Sequence, residues 1–168
     1  ISACLVGSEM CIRDSAEAVR KARAASGTVI VMDPKTGAIL AHATAPTFNP
    51  NNTKTVTLDL MRNPSVQDAY EPGSTGKIIT LAAAIEEGTV GPETVFDVPY
   101  KIIRGGEKFK DHDPHPLQKL TTAGILAVSS NTGTIKIAET MSHQTLYSYL
   151  HKFGIGTKTG AGLPGENY

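Results

Sequence analysis

The chain has 168 residues, 40% hydrophobic and 19% charged, which suits one folded domain with a sizeable core and excludes a disordered tail. Its 16 basic side chains balance 16 acidic ones, so no net field draws it to nucleic acid or to an anionic membrane surface. It contains no apolar run of the roughly 18 residues that a membrane span needs.

Both cysteines, Cys4 and Cys11, lie in an odd first segment. Cys4-Leu5-Val6-Gly7-Ser8-Glu9-Met10-Cys11-Ile12-Arg13-Asp14-Ser15 resembles translated read-through of a sequencing adapter, so residues 1–15 are set apart as a non-native leader. The fold is expected in residues 16–168, which hold no cysteine and therefore select no redox compartment. Ala16 to Ala25, rich in Ala, Arg, Lys and Glu, predicts a helix closed by Ser26-Gly27. Thr28-Val29-Ile30-Val31-Met32 and Ala38-Ile39-Leu40-Ala41-His42-Ala43 then flank Asp33-Pro34-Lys35-Thr36-Gly37, the pattern of a β-hairpin.

Residues 44–73 read as loop, with a short helix near Leu58 to Arg62. Glu71-Pro72-Gly73-Ser74-Thr75-Gly76-Lys77 follows and runs straight into Ile78-Ile79-Thr80-Leu81-Ala82-Ala83-Ala84-Ile85. This predicts a turn that delivers Ser74 to the start of a helix, apolar nearly all round and hence central, ending near Gly88. A plain N-cap is the structural reading of Ser74, but a cap prefers Glu or Gln three residues on. Lys77 instead faces the positive helix end, an unfavourable placement that points to chemistry. That field, with burial, lowers the lysine pKa and leaves an amine able to take the Ser74 proton. A phosphate-binding loop is excluded: its first glycine would be Glu71, and the residue after Lys77 is Ile78 rather than Ser or Thr.

Thr94 to Ile103 carries weak strand character and Arg104 to Gln118 reads as polar loop. Asp111-His112-Asp113-Pro114-His115 within it lacks a ligand framework and is read as a solvated loop rather than a metal site. Three helices are expected beyond: Ala123 to Val128 capped by Thr121-Thr122, Thr132 to Met141 after Ser129-Ser130-Asn131, and one capped by Ser142. The last sets Leu146, Tyr149, Leu150 and Phe153 on one face as core and ends at Gly154. No cofactor site and no internal repeat is read from the chain.

Ser74-Thr75-Gly76-Lys77 is the chain's only S-x-x-K and Ser129-Ser130-Asn131 its only S-x-N. In this order, each beside a helix, they resemble the acyl-serine penicillin-binding enzymes. Gly27 to Gly37, Ala45 to Asn52, Tyr70 to Lys77, Ser129 to Gly133, and Phe153 to Glu166 extend the resemblance to the transpeptidase domain of class B penicillin-binding proteins, over residues 16–168. The resemblance implies an α/β fold: an antiparallel sheet, of which the hairpin is the first part, with helices on its faces and a helical lobe.

It also implies that Ser74 is the nucleophile, Lys77 its general base and Ser129 a proton relay to the leaving group, while Asn131 holds the substrate amide and the lysine. The reaction implied is attack on the D-Ala-D-Ala carbonyl of a peptidoglycan stem peptide, release of D-Ala, and transfer of the acyl group to a neighbouring amine. β-Lactams would acylate Ser74 as substrate mimics. Implied too are an extracytoplasmic location and a membrane-anchored parent with cell-wall synthesis partners. The family's third motif, Lys-Thr/Ser-Gly on a central strand, is expected downstream of Tyr168. Lys158-Thr159-Gly160 is rejected for that role, because it sits among glycines with no β-branched run. Without that strand the chain is expected to turn over poorly, since one lost oxyanion donor costs about 2.7–4 kcal/mol, and to leave the central helix partly uncovered. Two alternatives stand beside this reading: a serine β-lactamase or β-lactam sensor, and a non-catalytic peptide-binding relic.

Overall fold

A computed structural model of the chain describes residues 2–52, 54 and 56–166, without the side chains of residues 2–8. Contacts divide it into two units, one holding residues up to 69 with the segment that begins at Gly160, the other residues 70–159. Both mix helices with small antiparallel sheets, an α/β architecture.

In the first unit α1, Ser2–Ala22, runs unbroken through the leader segment and the predicted helix. It stops three residues earlier than the composition suggests, because Arg23 takes a left-handed backbone (φ 52°) and Ala24 N–H turns back to Val19 O at 3.0 Å. The hairpin follows as β1, Gly27–Met32, and β2, Ile39–Ala45, paired antiparallel. Asp33 builds its turn: the carboxylate accepts from Lys35 N–H at 2.9 Å and Thr36 Oγ1 at 2.8 Å, and Gly37 supplies a φ of 72°. Those donors hold the Asp33 carboxyl below its usual range. Ala41, Ala43 and Ala45 form the buried face of β2, and α1 packs on the hairpin closely enough that a Cβ on Gly27 would stand 2.7 Å from Val19. The loop after β2 contains α2, Leu58–Met61, as expected, and a second short helix, α3, Pro64–Gln67, which was not. Asn63 caps α3 by accepting from Ser65 N–H, and Pro64 occupies its first position.

The second unit begins with a 3₁₀ turn, Gly73–Gly76, continuous with α4, Lys77–Glu86. Strands β3, Val95–Val98, β4, Lys101–Arg104, β5, Glu107–Lys110, and β6, Gln118–Thr121, form two separate pairs, β3 with β6 and β4 with β5. Three helices complete it: α5, Thr122–Ala127, α6, Asn131–Ala138, and α7, His143–Lys152. Their caps are the hydroxyls the sequence offers, Thr121 to Gly124 N–H (2.9 Å), Ser130 to Gly133 N–H (2.9 Å) and Ser142 to Thr145 N–H (3.0 Å).

The core gathers Leu81, Ala83 and Ala84 of α4 with Val98, Ile125, Ile137, Met141 and Tyr149. Three expectations are corrected. The segment read as polar loop contains β5, closed by Gly105-Gly106 at φ 58° and 84°, a two-residue turn whose twist suits a hairpin. The α7 stripe ends early: Tyr149 is buried, but Phe153 is 52% exposed because it follows the last helical turn. And α4 is not covered all round, with Ile78 56% and Ile85 46% exposed beside Leu126.

Gly133 sits where α6 crosses α5. A Cβ there would lie 2.8 Å from Ile125 Cγ1 and 3.0 Å from Ser130 Oγ, with Ile125 wholly buried. The gain in helix propensity, about 1 kcal/mol, is outweighed by overpacking at about 1–3 kcal/mol. Gly133→Ala is therefore expected to lower the chemical-denaturation midpoint of the chain, and an unchanged or raised midpoint would show that α5 and α6 separate freely.

Candidate active site

The four residues singled out in the sequence, Ser74, Lys77, Ser129 and Asn131, all lie in the second unit. Ser74 is the second residue of the 3₁₀ turn, introduced by Pro72 and by Gly73 at φ 61°. It is not a cap: the position before the turn is Pro72, the position before α4 is Gly76, and neither end has a side-chain cap. Its hydroxyl instead accepts a hydrogen bond from Ser129 Oγ at 2.9 Å.

Ser129 is placed by two helix ends meeting. Its N–H closes α5 onto Leu126 O, and Ser130 N–H reaches Ile125 O, each at 3.0 Å. Ser129 itself is left-handed, φ 55°, in the position after a helix where glycine is usual. A serine there costs about 1–3 kcal/mol. Glycine has no hydroxyl, and the hydroxyl is what the site uses: Lys77 Nζ donates to Ser129 Oγ at 3.0 Å and to the Ser129 carbonyl as well. Lys77, the first residue of α4, thus reaches Ser74 through Ser129 rather than directly. Burial disfavours its ammonium and lowers its pKa, against the opposing attraction of the Asp111 carboxylate.

Asn131 opens α6, its Nδ2 donating to Lys110 O at 2.8 Å. No hydrogen bond joins it to Lys77 among the described residues, so its hold on this loop runs through the end of β5.

The sequence reading missed Asp111. Of the polar loop around it, His112 and Asp113 are exposed as expected, whereas Asp111 is 7% exposed and its partner His115 is largely covered. The Asp111 carboxylate accepts from Ser130 Oγ at 2.7 Å, from Asn131 and Thr132 N–H, and from His115 Nε2 at 3.0 Å. Burial opposes its ionisation, but these donors outweigh burial and hold the carboxyl below its usual range. His115 is held above the usual imidazole range, first by the Pro116 carbonyl on its other nitrogen and then by Asp111.

Ser74, Lys110, Asp111, His112, Val128, Ser129 and Asn131 line one open cleft of about 690 Å³, roomy enough for a peptide end or a small drug. Two hydroxyls on its wall, hydrogen-bonded to each other and, through Ser129, to an amine of lowered pKa, form an arrangement suited to nucleophilic acyl transfer.

Comparison with known proteins agrees with that chemistry. The family model described as the penicillin binding protein transpeptidase domain matches residues 27–168. The chain is 42% identical to penicillin-binding protein PbpB of Mycolicibacterium smegmatis, over 89% of this chain and 24% of that protein. It is 37% identical to the peptidoglycan D,D-transpeptidase FtsI of Escherichia coli K12, over 92% of this chain and 26% of the relative. It thus spans about a quarter of the length of these curated relatives. Penicillin-binding protein 3 of Mycobacterium tuberculosis, solved in complex with aztreonam, superposes with a TM-score of 0.89 at 35% identity, over 95% of this chain and 36% of that one. A structural neighbour from Burkholderia ambifaria, described as a peptidoglycan glycosyltransferase, gives 0.80 at 28% identity, over 95% of this chain and 46% of that one. With the family match running from the first strand of the hairpin onward, the chain belongs to the penicillin-binding protein transpeptidase domain family.

Proposed function

We propose that residues 16–168 form part of the transpeptidase domain of a peptidoglycan D,D-transpeptidase, and that residues 1–15 are a leader foreign to it. The observation that carries the reading is the hydrogen-bonded order Lys77 Nζ, Ser129 Oγ, Ser74 Oγ, whose two serines line an open cleft. In the proposed cycle Ser74 Oγ attacks the carbonyl carbon of the terminal D-Ala-D-Ala amide. Its proton passes to Ser129 as the Ser129 proton passes to neutral Lys77. The relay then runs backwards and protonates the amine of the departing D-Ala. A neighbouring stem-peptide amine attacks the Ser74 ester and gives its proton to Lys77, which returns one through Ser129 to the departing Ser74 oxygen, leaving a crosslink and a free Ser74.

The Ser74 N–H, in the first turn of a helix whose early N–H groups have no partner in their own helix, is suited to receive the oxyanion. Asn131, which lines the same cleft, is assigned the substrate amide. β-Lactams would enter as mimics and stay on Ser74. The relatives' names, penicillin-binding protein and peptidoglycan D,D-transpeptidase, support a working location outside the bacterial cytoplasmic membrane, in a longer parent that would carry a membrane anchor. No helix among the described residues is long and apolar enough to cross a membrane.

A β-lactamase would need a carboxylate free to activate water at the acyl-enzyme. The carboxylate in this cleft, Asp111, is occupied by four donor groups, and Glu139 pairs with Arg104 at the far end of α6. In the longest natural chain carrying these residues, penicillin is expected to give one burst of acylation without turnover, and a D-Ala-D-Ala peptide to release D-Ala. Sustained penicillin hydrolysis would sink the proposal.

Ser129→Gly separates stability from function. Glycine relieves the left-handed strain, so the folded state is expected to hold or gain about 1 kcal/mol. Penicillin acylation is expected to fall by about 100-fold or more for want of the relay. Full acylation in Ser129→Gly would remove Ser129 from the proton path.

A further inference from the structure

Asp111 is the buried charged residue among those described, and the acyl-transfer scheme gives it no task. A buried carboxylate is tolerated only where it is fully hydrogen-bonded, and beside His115 this one spends its bonds in one place. Its oxygens take the Ser130 hydroxyl and the N–H groups of Asn131 and Thr132, three consecutive residues of the first turn of α6. It is itself anchored from the other side: its N–H donates to Tyr100 O at 3.0 Å, and the neighbouring Lys110 carbonyl takes Asn131 Nδ2. Ser129, next to that turn, is in a backbone state that serine does not prefer. Bonds to α5 fix it from behind, and the Asp111 cluster fixes it from ahead.

We propose that Asp111 is a positioning residue for acyl transfer, its carboxylate clamping the first turn of α6 so that the Ser129 hydroxyl stays between Lys77 and Ser74. This rests on the acyl-transfer reading above. The same carboxylate is the negative neighbour of Lys77 and favours its ammonium. The ionisable groups around Asp111 are His115 on its own loop, Lys77 from α4, Tyr100 against the His115 ring, and Lys110 and His112 along the cleft. The first turn of α6 brings no charge.

The test follows acylation by a fluorescent penicillin across pH, separating the binding constant from the acylation rate constant, in the longest natural chain carrying residues 16–168. Asp111→Ala is expected to lower the acylation rate constant about 100-fold, the cost of a misplacement of about 1 Å, with binding little changed. Asp111→Asn keeps one oxygen for the Asn131 and Thr132 N–H groups and is expected to recover about tenfold of that loss. In Asp111→Asn the acid limb of the rate profile moves to lower pH, because Lys77 loses the charge that favours its protonated form. His115→Gln should keep the limb; its disappearance there would assign the limb to the imidazole and overturn the electrostatic part.

Rate constants and limb equal to wild type in both Asp111 variants, with only thermal stability reduced, would make Asp111 a purely structural cap and overturn the proposal. Should neither variant fold, Ser130→Ala, which leaves the carboxylate in place, is expected to lower the rate constant about fivefold by freeing one side of the clamp, and an unchanged rate overturns the proposal. A wild-type chain that takes no penicillin overturns the acyl-transfer reading itself, a result distinct from normal acylation in the Asp111 variants.

Discussion

Replacing Ser74 by alanine is expected to abolish covalent labelling by penicillin and to reduce D-Ala release from a stem-peptide mimic by at least about 10⁴-fold, the scale on which serine nucleophiles are missed. The fold should survive, because the Ser74 side chain is exposed and caps nothing; among the described residues its hydrogen bond comes from Ser129. Noncovalent binding should survive as well, since the cleft loses a single oxygen. Labelling and unfolding must therefore be read together. Loss of labelling with an unchanged unfolding midpoint is the expected pair of results, and labelling that persists in Ser74→Ala removes the nucleophile from the account.

The second large effect concerns Lys77. Acylation needs its neutral form, so the rate should rise with pH through the lysine pKa, which burial sets below the ordinary amine range while Asp111 partly restores it. Below that pKa the amine is an ammonium and the relay through Ser129 has nowhere to deliver a proton. Lys77→Arg keeps the charge and the donors to Ser129 but remains protonated at every accessible pH. It is expected to cost about 10²–10⁴-fold in acylation, as the loss of a general base does, and to erase the acid limb of the profile. A Lys77→Arg variant that keeps both rate and limb would mean that another group takes the proton.

Much of this site was legible in the sequence because its parts obey local rules or break them visibly. Ser74 and Lys77 lie three residues apart at a helix start, where a cation is out of place, and the structure puts Ser74 on the cleft wall with Lys77 bonded to the neighbouring Ser129. Thr121 and Ser142 stand as caps before apolar runs, and both cap. Asp111 was hidden because its burial is a long-range event. Nothing in Asp111-His112-Asp113-Pro114-His115 distinguishes the first aspartate from the exposed Asp113 until α6, twenty residues later, packs its first turn against it.

Strand β5 was hidden for a related reason. All four of its residues are exposed, so no alternation marks it, and only the Gly105-Gly106 pair signals the turn that builds it. In Asn63-Pro64 the signal was present but misread, since an asparagine before a proline starts a helix as readily as it breaks a chain.

Two serines, Ser74 and Ser129, share one hydrogen bond in the cleft, and either hydroxyl could in principle carry an acyl group. The most direct test is to acylate the longest natural chain carrying these residues with penicillin, digest it, and locate the added mass by tandem mass spectrometry. The account predicts a single penicilloyl ester on the peptide containing Ser74, at Ser74. An ester on Ser129, or no ester under conditions where the chain is folded, would contradict it.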